Sequence, residues 1–220
     1  MRGSTLSPLQ VRVLRALAGL QPPWTLTGGG ALAGLYLGHR KTRDLDLFWH
    51  GLHVLPDLAG LIDALERDGV HVHVLRRTPA FVELRASAGD EVTVIDLVAD
   101  PVPPVESPIR VEVDGTSVQV DTQHEILVNK LNALLSRSEL RDLVDLRALL
   151  AAGADLPRGL VDAEQKDGGF SAATLAWVLR SLPIAALGRA NRVSEAEVGE
   201  LEVFREALVT RLAQMCRPGA

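Results

Sequence analysis

Residues 24–48 constrain the fold more than any other stretch of the chain. A short apolar strand (Trp24-Thr25-Leu26-Thr27) runs into Gly28, Gly29 and Gly30. A helix-like run follows over 31–37, and then a second apolar strand reads Asp44-Leu45-Asp46-Leu47-Phe48. Residues i and i+2 of a strand share a face. Asp44 and Asp46 therefore project side by side, while Leu45 and Leu47 turn toward a core. Carboxylates at this spacing repel each other and perturb each other's ionisation. Mg²⁺ is bound through one or two carboxylates plus substrate phosphates, and glycines at a strand-to-helix turn let backbone N–H groups approach an anion. The combination predicts a metal-dependent phosphoryl or nucleotidyl transfer site.

The acid pair needs a third member, and Asp96 is the candidate. It stands in Val92-Thr93-Val94-Ile95-Asp96-Leu97-Val98, where a carboxylate among aliphatics is costly unless it is paired or binds a metal. Such an acid completes a two-metal site and accepts a proton from an attacking hydroxyl; a salt bridge to a nearby arginine is the competing reading. Asp90 and Asp100, at the strand ends, read as ordinary exposed residues. The glycines fit neither a dinucleotide fingerprint nor a Walker A loop, since G-x-G-x-x-G and Gly-Lys-Ser/Thr are both missing. If the strand reaches back far enough, alternation puts Arg40 and Thr42 on the face of Asp44 and Asp46, where they contact phosphate or a base, or Arg40 simply pairs with Asp44. Lys41 and Arg43 then point elsewhere.

Hydrophobic spacing supplies the frame. Ser7-Pro8 opens an amphipathic helix closed by Gln21-Pro22-Pro23, and 55–68 forms a second, stopped by Gly69. Strands follow over 70–75, 81–86 and 91–98. A hairpin over 111–118 turns at Asp114-Gly115. Near Asp121 the period changes from 2 to 3.6, and Thr122-x-x-Glu125 reads as a capping box. Helices are predicted over about 139–152, 171–181 and 194–215. The expected architecture is α+β: a mixed sheet flanked by helices over 1–120, then an α-helical half over 121–220.

The helical half carries a second polar set. Lys130 is placed to meet a triphosphate as a point charge. Asp142 and Asp145, three apart on one helix face, follow Arg141, and Asp142 is suited to orient Lys130 or Arg141. First-turn acids are also favoured by the helix dipole alone. The six histidines show no metal-site spacing. The single cysteine, Cys216, excludes an intrachain disulfide and fits a reducing cytoplasm. Arg12 and Arg15 interrupt any signal-peptide core, and no apolar run is long enough to cross a bilayer. A net charge of −5 argues against wrapping long DNA but leaves room for a local basic patch.

On these residues the chain resembles the nucleotidyltransferase superfamily that includes DNA polymerase β, and more closely the AbiEii/AbiGii toxin family. The likeness rests on G-G-x-A-L at Gly28 to Leu32, R-x-T-x-D-L-D-L from Arg40 to Leu47, a helix with Lys130, and R-D-x-x-D-L from Arg141 to Leu146. It implies transfer of a nucleotide from an NTP to a hydroxyl acceptor, with two Mg²⁺ ions held by Asp44, Asp46 and Asp96. Gly28, Gly29 and Lys130 would hold the triphosphate. The acceptor in some relatives is the 3′ end of tRNA, and those relatives act as toxins neutralised by an antitoxin. A small-molecule or protein acceptor stays open, as does a catalytically silent nucleotide- or partner-binding module.

Overall fold

The computed structural model describes residues 5–216. They fall into two compact units, one up to Ile126 and one from Leu127 onward. In the first unit α1 (Pro8–Leu17) starts at a capping box: Ser7 accepts from the Gln10 N–H, and the Gln10 side chain accepts from the Ser7 N–H. β1 (Thr25–Thr27) leads into α2 (Gly28–Ala31), which widens into a π-helical segment (Leu32–Leu37) ended by left-handed Gly38. β2 (Asp44–His50) runs two residues beyond the predicted strand.

After α3 (Leu58–Arg67) come β3 (His71–Arg77), β4 (Phe81–Ala88) and β5 (Glu91–Asp100). β6 (Ile109–Val113) and β7 (Thr116–Val120) form the hairpin, its turn made by Asp114 and Gly115 at φ 49° and 74°. The described strands make one mixed sheet in the order β3-β4-β5-β2-β1-β7-β6. β2 is antiparallel to β1 and parallel to β5, and β1 is parallel to β7.

The sheet has two unlike faces. Leu45, Leu47 and Trp49 of β2 are buried with Ile95 and Leu97 of β5, on the side covered by α1 and α3. Gln10 of α1 donates to Thr93 Oγ1 there at 3.4 Å. Alternate residues of the same strands, Asp44, Asp46 and Asp96 among them, are only half-buried.

The second unit is helical. α4 (Gln123–Ser136) leads into α5 (Leu140–Ala151), α6 (Leu156–Lys166), α7 (Ala172–Ser181), α8 (Ile184–Ala190) and α9 (Glu195–Met215). Leu131, Leu143, Leu146, Leu179, Leu201 and Leu212 are among its buried core. Spacing alone did not point to α6 and α8. α6 holds Pro157 and Gly159, which read as breakers. Proline is tolerated in a first helical turn, and a Cβ on Gly159 would stand 2.7 Å from Leu127 Cδ2. Among the described residues no helix is long and apolar enough to cross a membrane.

Candidate functional site

Strand pairing builds an acid row on the open face. Asp46 is the register partner of Asp96 across the parallel β2–β5 pair, so the two carboxylates leave the sheet on adjacent strands, about 4.8 Å apart at the backbone. Asp44 stands one step along the same face, opposite Val94. Asp96 in turn pairs with Glu83 of β4, a fourth carboxylate that the sequence reading passed over. Its signal was the one that singled out Asp96: an acid inside an apolar strand, here Phe81-Val82-Glu83-Leu84.

Three glycines meet this row for three reasons. Gly28 has φ +57°, and a Cβ there would overlap Asp46 Oδ2, so backbone conformation and space both demand glycine. At Gly29 a Cβ would stand 2.7 Å from Arg40 Nη2 and 3.2 Å from Thr42 Oγ1. At Gly30 it would crowd Leu26 and Leu45 at 3.1 and 3.2 Å, so that position seats the helix on the core. Thr27, the register partner of Asp46, has a buried hydroxyl that makes no hydrogen bond among the described residues.

Arg40 and Thr42 reach the site by another route than strand alternation. β2 begins at Asp44, so both lie in the loop before it, and the loop folds them onto Gly29. The Thr42 hydroxyl lies 3.1 Å from the Asp44 carbonyl and 3.4 Å from its Oδ1, while the Arg43 N–H donates to Oδ1 at 3.1 Å. Asp44 is therefore oriented by its own loop.

The helical unit holds a separate charge cluster. Lys130 Nζ lies 2.7 Å from Asp142 Oδ1 and 2.7 Å from Asp145 Oδ2, and both acids are fully buried. Arg137 closes on Asp142 at 2.9 Å. Arg141 Nη2 lies 3.5 Å from Glu139 Oε2. Burial pulls the Lys130 pKa down, but Asp145 and Asp142 outweigh it and raise it. Burial likewise pushes Asp142 up, and Arg137 with Lys130 hold it low.

A further cluster contradicts the reading of Asp100 as an ordinary exposed strand-end acid, and it gathers around His50, the last residue of β2. His50 Nε2 is 3.1 Å from Asp121 Oδ1, and Nδ1 is 3.7 Å from Asp100 Oδ2; the imidazole is 9% exposed and the Asp121 carboxylate wholly buried. Burial lowers the His50 pKa, yet the two acids lift it to about 9. Tyr36 donates to the Asp121 carbonyl at 2.9 Å, and burial followed by the Asp121 charge pushes its pKa to about 12. Asp121 sits where the hydrophobic period changes, which hid it.

Among the described residues no group of three or more His, Cys, Asp or Glu is arranged to hold a metal ion. Asp44, Asp46 and Asp96 line one face without closing a cage.

The mixed sheet with its glycine turn against an acid row defines a protein of the nucleotidyltransferase type. Two solved structures share that fold. JHP933 from Helicobacter pylori matches with a TM-score of 0.58 at 19% identity, over 94% of this chain and 91% of that one. MenT4, a nucleotidyltransferase toxin from Mycobacterium tuberculosis, matches with a TM-score of 0.58 at 20% identity, over 91% of this chain and 81% of that one. No curated protein sequence matches the chain. The chain belongs to the AbiEii family, the nucleotidyl transferase toxins of type IV toxin–antitoxin systems, whose family model matches residues 12–216. It is thereby an NTP-dependent nucleotidyltransferase.

Proposed function

We propose that the chain moves a nucleoside monophosphate from an Mg²⁺-bound NTP to a hydroxyl acceptor, a tRNA end in the leading reading, and that it does so as a toxin held in check by an antitoxin. The observation that carries the reading is the seating of Gly28 against Asp46 with Asp96 in register beside it. A missing Cβ keeps Asp46 open, and the unsatisfied Thr27 hydroxyl lies next to it. Mg²⁺ needs only one or two carboxylates when substrate phosphates supply the remaining oxygens. An acid face without a closed cage suits a metal that arrives with the nucleotide.

Asp44, Asp46 and Asp96 would hold the ions. Bound there, they neutralise charge developing on the phosphates. The chain's own groups do the rest. Thr42 and the Arg43 N–H fix Asp44. The Gly28–Gly30 turn, with Arg40 folded onto it, lies against the donor. Asp96 accepts the proton of the acceptor hydroxyl, whose oxygen bonds to the α-phosphorus as the bond from that phosphorus to the departing pyrophosphate breaks. A role for Lys130, Arg141, Asp142 and Asp145 in holding the nucleotide is a separate proposal.

The test is incubation of the protein with Mg²⁺, each labelled NTP and total RNA, beside a protein and a small-molecule acceptor. Label is expected on RNA. Its persistence in Asp46→Ala would overturn the assignment of the site.

A further inference from the structure

The sheet face that carries the acids does not stop at them. Next to the row of Asp46, Asp96 and Glu83 stands Arg76 of β3, the register partner of Glu83. One row along, Asp44 pairs with Val94, Val94 with Arg85, and Arg85 with His73. One row the other way, Phe48 pairs with Val98, and Val98 with Phe81. The opposite face is covered by α1 and α3, whereas Arg76, Arg85, His73 and Val92 on this face are exposed. The Arg85 side chain makes no hydrogen bond or ion pair among the described residues. Arg76 lies over the Phe81 ring at 5.6 Å and keeps its guanidinium edge available. Lys41 and Arg43, both exposed, flank the entry to Asp44.

We propose that this open face, from β3 across β4 to β5, seats the end of a single-stranded polynucleotide and leads its terminal hydroxyl to Asp46 and Asp96. The inference rests on the transferase reading above and names the surface that reading lacks. Three observations select the occupant. Arg76 and Arg85 present fork-shaped guanidiniums, which suit phosphate oxygens. Half-buried phenylalanines with an arginine over one ring offer stacking surface in the way sheet platforms hold unpaired bases. The whole chain carries a net charge of −5, so a polyanion gains nothing from the chain as a whole and is favoured only at a local strip of cations. A small acceptor needs no track running three strands away from the reacting acids.

The experiment is fluorescence anisotropy of a short labelled single-stranded oligoribonucleotide on the full chain across a salt series. The double variant Arg76→Glu/Arg85→Glu is compared with Arg67→Glu/Arg180→Glu, which makes the same charge change at exposed positions of α3 and α7. The face variant is expected to bind about tenfold or more weakly and to lose roughly one to two from the slope of log K against log salt; the control should stay near wild type. Arg76→Gln/Arg85→Gln, the gentler pair, should move in the same direction by less, with unchanged far-ultraviolet circular dichroism in both. Equal weakening in face and control variants, or none in either, overturns the proposal. Binding is read without turnover. RNA binding that depends on Arg76 and Arg85 in a chain that transfers nothing defeats the transferase reading alone. RNA labelling that survives the face variant undiminished defeats this surface alone.

Discussion

At the residue scale, single atoms decide what the site tolerates. Gly28 is the sharpest case, because its φ of +57° and its contact with Asp46 Oδ2 exclude a side chain independently. Gly28→Ala is expected to cost about 1–3 kcal/mol of stability from strain. Displacing the carboxylate should cost more in function, with transfer falling about 100-fold, so labelling and thermal unfolding will separate the two losses. His50 yields a pH dependence of definite sign. Its folded pKa is raised to about 9 from 6.5, so the stability it contributes is fully present below about 6.5 and is lost as pH rises through about 9. The gap is worth on the order of 3 kcal/mol. Urea midpoints should fall over that window in wild type, and the fall should be much shallower in His50→Gln.

At the element scale, alternation and spacing made the individual strands and most helices legible, because each is written locally. The D-x-D strand and the buried-acid strand of Asp96 were both readable. What brings them together was not: β5 beside β2, and β1 beside β7, are neighbours in space but not in sequence, and the register that sets Asp46 beside Asp96 is a non-local pairing. Arg40 and Thr42 arrive by a loop rather than by strand parity, which no periodicity records. Arg137 was missed because an exposed arginine at a helix end carries no pattern. Its cluster sharpens the two readings of Lys130. Lys130→Met leaves Asp142 and Asp145 buried around a lost cation, and about 3–5 kcal/mol of destabilisation is expected. Adding Asp142→Asn and Asp145→Asn should recover much of it, since breaking a buried pair costs more than removing it. Calorimetric NTP affinity in the folded triple variant then reports on the nucleotide directly. Wild-type affinity assigns the cluster to the helical unit's stability, and a loss assigns Lys130 to the triphosphate.

At the scale of the whole molecule, an acidic chain holds its proposed catalytic acids on an open face and, among the described residues, has no group ready to hold a metal ion. Carboxylates in register repel, so the row stores unfavourable charge that cations relieve. With too few protein ligands to keep Mg²⁺ alone, the relief depends on phosphate oxygens completing the shell. Metal and nucleotide should therefore stabilise the chain together rather than additively. Mg²⁺ alone is expected to shift the melting temperature little, as is a non-transferable NTP analogue with chelator. The two together, at about 100 times the apparent Kd, should add about 2.7 kcal/mol, a rise of roughly 5–10 °C for a chain this long. In Asp46→Asn that joint shift should vanish while each separate shift stays small. A full shift from Mg²⁺ without nucleotide would instead mean that the acids already form a closed metal site and that metal and nucleotide bind without coupling.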